Sequence, residues 1–377
     1  LPDKVLAQVL VQIIFFRCQI GLFDKDLQKP YLCENKMKNS MTLQERIDTL
    51  AELGDRLNSD NEQLVLAIRQ AYIQNPWFTI ENCRKAIDNI SRAFLQKEKL
   101  ENWAKAYDIK TETPKTVGLI MAGNIPLVGF HDFMCIFIAG HKAKVKLSDK
   151  DTVLMDFMFN NLIDINPNVQ NYIEKIERLT DFDAVIATGS NNTARYFESY
   201  FGNYPNIIRK NRTSVAVLSG DETTEELTQF GHDIFDYFGL GCRNVSKLFV
   251  PKGYNFEPLM AVLHSFNQIV HHNKYKNNYD YNYTLMTMNK IPTVFGTCLL
   301  LSENEGFQSR IAQMHFSYYE DKTVLAETIA AHEFEIQCLV SKNPIGNIPN
   351  IQFGQTQIPT LSDYADGVDT MEFLINI

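Results

Sequence analysis

The residue whose surroundings most invite chemistry is Cys242, set in the segment GLGCRN. Gly239 and Gly241 give the backbone room to turn and to approach a reacting carbonyl closely. A thiol is a competent nucleophile even at a small thiolate fraction, more so beside a cation such as Arg243. In isolation Cys242 reads equally well as a buried structural cysteine. Asn124 stands in GNIPLVGFHD, a Gly- and Pro-constrained turn before a helix. An amide held at a fixed place there can donate to an oxyanion, although a helix cap is the other common use of such an asparagine. Lys146, Ser148 and Asp149, with Lys150, end the run KAKVKLS and lead into a helix, which suits the hydroxyls and phosphates of a nucleotide. Gly189 and Ser190 open a helix after DAVIAT, where free amides suit a pyrophosphate. The glycine pair of GLGC is not the dinucleotide fingerprint, because it follows a helix and lacks the third glycine.

The elements that must position these residues alternate in type. From 42 to about 106 the pattern is helical, broken at NPWF, with Thr42 and Glu45 spaced as a capping box. From 116 onward, TVGLIMA, KAKVKLS and DAVIAT read as strands separated by LVGFHDFMCIFIAG and by a helix over 151–178. A further helix follows GSNN, then the runs NIIRK and SVAVLSG, a helix over about 222–238, the loop GLGCRN and the strand SKLFVP. TCLLL, MHFSYY and EIQCLVS continue the alternation. The pattern predicts parallel βαβ units, and ligands then belong beyond the carboxyl ends of the strands. The candidate residues sit in just such places.

Composition narrows the classes. At 377 residues the chain exceeds the size at which one core stops growing, so more than one packed domain is expected. A hydrophobic share of 45% and a charged share of 21% are those of an ordinary globular protein. The net charge of −9 argues against nucleic acid as a partner, since phosphate binding needs clustered Lys and Arg. Seven cysteines without CxxC spacing indicate neither a disulfide framework nor zinc, and a reducing cytoplasm is expected. His271 and His272 point to different helix faces, and SDYADGVD lacks the glycine and glutamate of a calcium loop, so no metal is expected. The apolar stretch 5–16 is too short for a membrane span. Residues 1–40 match no pattern, and Met41 is the expected natural start.

Taken together, NPWF, GNIPLVGFHDFMCIFIAGHKAKVKLSDKD, IATGSNNTARYF, FGLGCRNVSKLFVP and FGQTQIPTLSDYADGVDTMEFL resemble the LuxC-like acyl-CoA reductases of the aldehyde dehydrogenase superfamily. The similarity runs from Met41 to the end. It implies an α/β, aldehyde dehydrogenase-like fold: a helical leader over 41–110, a Rossmann-type cofactor-binding domain over 111–212, a catalytic domain over 213–350, and a tail over 351–377 packed near the site or a neighbouring subunit. It further implies Cys242 as nucleophile and Asn124 with the Cys242 amide as oxyanion hole. Lys146 and Asp149 would face the cofactor's ribose, with Ser148 between them, and Gly189 and Ser190 its phosphate end. NADPH is the implied cofactor, with NADH possible; an acyl-CoA or acyl-carrier thioester is the implied substrate, and a homodimer or larger assembly the implied state.

One departure is informative. Hydrolytic aldehyde dehydrogenases carry a glutamate base in a Glu-Leu-Gly-Gly segment; the corresponding stretch here reads RKNRTS, with Arg209 near the glutamate's place. Without a positioned base, worth about 100- to 10,000-fold, water attack on an acyl-enzyme is slow. Reduction of a thioester through acyl-Cys242 is therefore the expected reaction. Its rivals are an aldehyde-oxidising dehydrogenase and a cysteine hydrolase or acyltransferase pairing Cys242 with His232. Phe130, Phe133, Phe137 and Phe238 read as core more readily than as an acyl tunnel.

Overall fold

A computed structural model describes residues 40–59, 61–109 and 113–377. By packing, the chain divides into Leu1–Thr42 and Leu43–Ile377. Of the first unit only residues 40–42 are described, without regular secondary structure, so the extension expected over 1–40 lies outside the described residues, Ser40 apart.

The second unit opens with four helices, α1 (Leu43–Leu57), α2 (Glu62–Gln74), α3 (Ile80–Ala93) and α4 (Lys97–Ala104). Cys83, Ala86, Ile87 and Ile90 form the buried stripe of α3, at the three- and four-residue spacing of one helical face. Thr79 caps that helix by accepting from the Asn82 amide. The helical run is broken at NPWF as expected, and also between Leu57 and Glu62, where Asn61 caps α2 by accepting from Gln63 and Leu64 amides.

A five-stranded parallel sheet follows: β1 (Thr116–Ile120), β2 (Lys142–Lys146), β3 (Ile173–Lys175), β4 (Ala184–Thr188) and β5 (Asn206–Arg209), in the order β3-β2-β1-β4-β5. Parallel neighbours require crossovers. α5 (Phe130–Ala139) links β1 to β2, α6 (Thr152–Ile165) links β2 to β3, and α7 (Asn191–Phe201) links β4 to β5. α5 is buried on every face except at His131, which explains its unbroken apolar run. The helix expected over 151–178 stops at Ile165. Asn166 is extended ahead of Pro167, a one-turn 3₁₀ segment follows, and the remainder supplies edge strand β3. The order of strands reverses between β1 and β4, so the loops after these two strands flank the crevice where such sheets bind ligands.

The second sheet contains β6 (Thr213–Val217), β7 (Val245–Pro251), β8 (Thr293–Phe295), β9 (Leu300–Glu303), β10 (Gln313–Tyr319) and β11 (Ile336–Ser341) in the order β11-β6-β7-β10-β9-β8. Only β8 runs antiparallel to its neighbour. One face buries Leu248 and Val250 beneath α8 (Thr224–Phe235), α9 (Glu257–Leu263) and α10 (Asn273–Met288). The other buries Val217 and Phe249 with Leu325 and Ile329 of α11 (Lys322–Ala331). A short helix, α12 (Thr370–Ile375), closes the chain. No helix among the described residues is long and apolar enough to cross a membrane.

Candidate active site

The loop bearing Cys242 is shaped by the way α8 ends. The helix stops at Phe235, short of the expected 238, because Tyr237, Phe238 and Gly239 adopt successive left-handed backbone angles, with φ of 53°, 60° and 73°. Two of the three carry side chains that disfavour this conformation, so packing must hold them. Phe238 does so by seating against Trp77 of NPWF and His272, with ring centroids 5.2 Å and 4.4 Å away. Asn244 then fastens the loop. Its Nδ2 donates to the carbonyls of Asp233 and Asp236 at 3.2 Å and 2.9 Å, and its Oδ1 accepts from the Gly241 amide at 2.9 Å. From β6, Ser214 Oγ donates to the Cys242 carbonyl at 3.0 Å.

Asn124 meets this loop from the other sheet. Its Nδ2 donates to the Leu240 carbonyl at 2.7 Å, two residues before Cys242. A Cβ on Gly241 would lie 3.0 Å from Asn244 Oδ1 and 3.6 Å from Ile125 Cδ1, so glycine allows the two loops to touch. A primary amide has two hydrogens, and the bond to Leu240 uses one. Among the described residues no group accepts from the Cys242 amide. Asn124 thus bonds the loop that carries the half-buried Cys242 thiol, and its second hydrogen and the Cys242 amide are the donors an oxyanion hole would use.

Charges of both signs surround the thiol. Burial pushes the Cys242 thiol up to about 11; Arg243 pulls it down, Cys338 and Asp366 push it further up, and Arg209 more weakly pulls it down. Arg243 donates to Cys338 Sγ at 3.4 Å and to the Asp363 carbonyl at 3.1 Å. Arg209, the last residue of β5, is buried, ion-paired with Asp132 of α5 and bonded to Thr370 Oγ1 at 2.9 Å. Arg212 pairs with Asp366 at 3.4 Å. The chain after 350 therefore crosses the site, and Asp233 anchors it by accepting from the Gly354 amide and from the amide and hydroxyl of Thr356 at 2.7, 3.1 and 2.8 Å.

The residues expected to face a cofactor lie at the carboxyl ends of β2 and β4. Lys146 and Asp149 are exposed and Ser148 is half-buried. Their loop abuts the Asn124 turn, because a Cβ on Gly123 would come within 2.4 Å of Ser148 Oγ. Gly189 is equally confined, its Cβ direction meeting Phe197 and Thr193 at 3.0 Å. Ser190 spends its side chain capping α7 on the Thr193 amide, leaving the first amides of that helix for an anion. These two groups flank the crevice, and both fit the phosphate and ribose parts of a dinucleotide.

Other candidates resolve differently. Phe130, Phe133 and Phe137 are fully buried and packed among themselves, Phe159 and Tyr172, so they are core. His232 bonds Asp236, the residue that ends α8, at 3.1 Å and lies edge-on to Phe266; neither contact is with Cys242. His272 accepts from or donates to backbone at Pro76 and Tyr275 and stacks on Trp77. The five cysteines among the described residues are free thiols, and all but Cys242 are buried.

No family model and no curated protein matches the sequence. Solved structures do match. Aldehyde dehydrogenase 21 from Physcomitrella patens, in complex with the reaction product succinate, is 11% identical and superimposes with a TM-score of 0.64 over 89% of this chain and 84% of that one. The fold is that of the aldehyde dehydrogenases. Indole-3-acetaldehyde dehydrogenase in complex with NAD+ (13% identity, TM-score 0.61, 80% and 72% of the two chains) has the same fold. So does the NAD+ complex of an aldehyde dehydrogenase from Bacillus cereus (12%, 0.57, 80% and 72%). In this aldehyde dehydrogenase fold the reading of the sequence missed Ser214, Cys338, Asp132 and Asp233. Irregular pairing at Ser214 in β6 and between Ile336 and Leu339 in β11 turns Ser214 and Cys338 toward the Cys242 loop. No local sequence signal announces such bulges.

Proposed function

We propose that this chain is an NAD(P)H-dependent reductase of acyl thioesters, acylated on Cys242. What supports this reading is an amide donor, Asn124, bonded to the loop of the Cys242 thiol, together with a guanidinium near the place of the hydrolytic glutamate, where Arg209 is held charged by Asp132. A guanidinium cannot take a proton from water. The Cys242 sulfur attacks the thioester carbonyl, and the oxyanion accepts from Asn124 Nδ2 and the Cys242 amide. The bond to coenzyme A breaks, and the proton lost by Cys242 leaves with that thiol. Attacking and leaving atoms are both sulfur, so the exchange is close to balanced and asks little of a base. A reduced nicotinamide, bound at Lys146, Ser148, Asp149, Gly189 and Ser190, would supply the hydride. The same two donors then hold the thiohemiacetal oxyanion, which collapses to aldehyde and Cys242 thiolate. The resemblance favours NADPH over NADH, while the Asp149 carboxylate would repel a 2′-phosphate unless Lys146 or Lys150 offsets its charge.

Mass spectrometry tests the acyl-enzyme directly. Mixing the protein with an acyl-CoA and no nicotinamide should release one equivalent of free thiol and add the acyl mass to the peptide containing Cys242. Free thiol without a Cys242 adduct, or release that continues past one equivalent as free acid accumulates, would favour the hydrolytic rival.

A further inference from the structure

The turn that carries Asn124 is held in an unfavourable shape by a single buried carboxyl. Leu127 has φ of 59°, a left-handed conformation that leucine avoids, and its amide donates to Asp151 Oδ2 at 2.7 Å. Asp151 immediately precedes α6 but does not cap it with its side chain. It is 3% exposed, and its Oδ1 is buried without a hydrogen-bond partner. Buried carboxyls are rarely left half-satisfied unless the position serves something other than stability. Burial pushes this one up to about 8, which favours the neutral form, a plain acceptor for the Leu127 amide.

Asp151 also belongs to the loop of Ser148 and Asp149. Its amide donates to the Ser148 carbonyl at 3.0 Å, and Ser148 packs on Gly123 at the start of the Asn124 turn. The same loop is clamped from outside, where Gln74 and Asn75, at the end of α2, donate to the carbonyls of Asp149 and Lys150 at 2.8 Å and 3.3 Å. The turn bearing the oxyanion donor and the loop offered to the cofactor are therefore braced together, with Asp151 as the hydrogen-bonded tie.

We propose that Asp151 is a positioning residue that sets Asn124 through the Leu127 amide, fixing the oxyanion donor relative to the cofactor loop. This rests on Asn124 acting in the oxyanion hole, whichever thioester or aldehyde is turned over. A tie of this kind changes kcat without changing the thiol.

The test is a double-mutant cycle on full-length protein, using whichever substrate gives Cys242-dependent turnover. Asp151→Ala should lower kcat about 10- to 100-fold, part of the 100- to 1,000-fold that removing one oxyanion donor costs. The rate of Cys242 alkylation by iodoacetamide should be unchanged. Asp151→Asn, which keeps a neutral acceptor oxygen, should recover most of the loss. Adding Asp151→Ala to Asn124→Ala should cost nothing further, because one acts through the other. Additive losses, an Asn variant as damaged as Ala, or an Ala variant within threefold of the parent would each overturn the proposal. If Asp151→Ala fails to fold, Asp151→Ser enters the same cycle. A harmless Asn124→Ala removes the oxyanion assignment and this inference together, whereas a crippled Asn124→Ala beside a harmless Asp151→Ala removes this inference alone.

Discussion

Replacing Arg209 by Met should destabilise the protein far more than the loss of one arginine suggests. Arg209 and Asp132 have side chains only 4% and 10% exposed, and each is the other's charge partner. Removing the guanidinium leaves a carboxylate in a site that has already lost its water, and breaking a buried pair from one side costs about 3–5 kcal/mol. Thr370 loses its bond from Arg209 as well, adding about 1 kcal/mol. Removing both charges in Arg209→Met with Asp132→Leu should return most of the loss, since well-packed apolar replacements of buried pairs are often close to neutral. Urea unfolding measures both variants: the single change should move the midpoint strongly downward and the double change should restore it. A single variant within about 1 kcal/mol of the parent would refute the argument that these charges depend on each other. The pair also joins α5, β5 and the start of α12 beside the nucleophile's loop, so the single variant should lose activity at temperatures where the parent retains it.

Alkylation of Cys242 by iodoacetamide should accelerate about tenfold per pH unit between 7 and 10, because the thiol is pushed up to about 11, and Arg243→Met should slow it at any one pH by removing the charge that lowers it. Asn124→Ala should cut kcat about 100- to 1,000-fold while leaving alkylation intact, as steady-state kinetics beside labelling would show. Burial raises the Asp233 carboxyl from 3.8 to about 6. The folded state thus binds this proton more tightly than the unfolded chain, so the group's stabilisation is complete below about 3.8 and is lost as pH rises through about 6. That amounts to something on the order of 3 kcal/mol, and Asp233→Asn should flatten this part of the unfolding profile.

What was legible in the sequence was local. Gly239 and Gly241 announced a turn, GNIP announced another, and the alternation of apolar runs announced parallel strands. The helix end at Tyr237 and Phe238 was not legible, because neither residue signals a left-handed conformation; the aromatic seat formed by Trp77 and His272 imposes it from far along the chain. β3 was hidden because three residues behind a proline carry too little pattern to separate from the preceding helix. The contacts of Ser214, Cys338, Asp132 and Asp233 join segments remote in sequence, and only the sheet order and two irregular registers bring them to the site. Asp151 had the same difficulty, lying beside the expected cofactor residues while its partner is an amide 24 residues earlier.

The most direct test of the account follows absorbance of the reduced nicotinamide while the protein is mixed with NADPH or NADH and acyl-CoA thioesters of several lengths, with Cys242→Ala in parallel. Oxidation of the cofactor with stoichiometric release of free thiol, abolished in the variant, is the predicted result. Coenzyme A-independent reduction of NAD+ with aldehydes, and no turnover of any thioester, would contradict it.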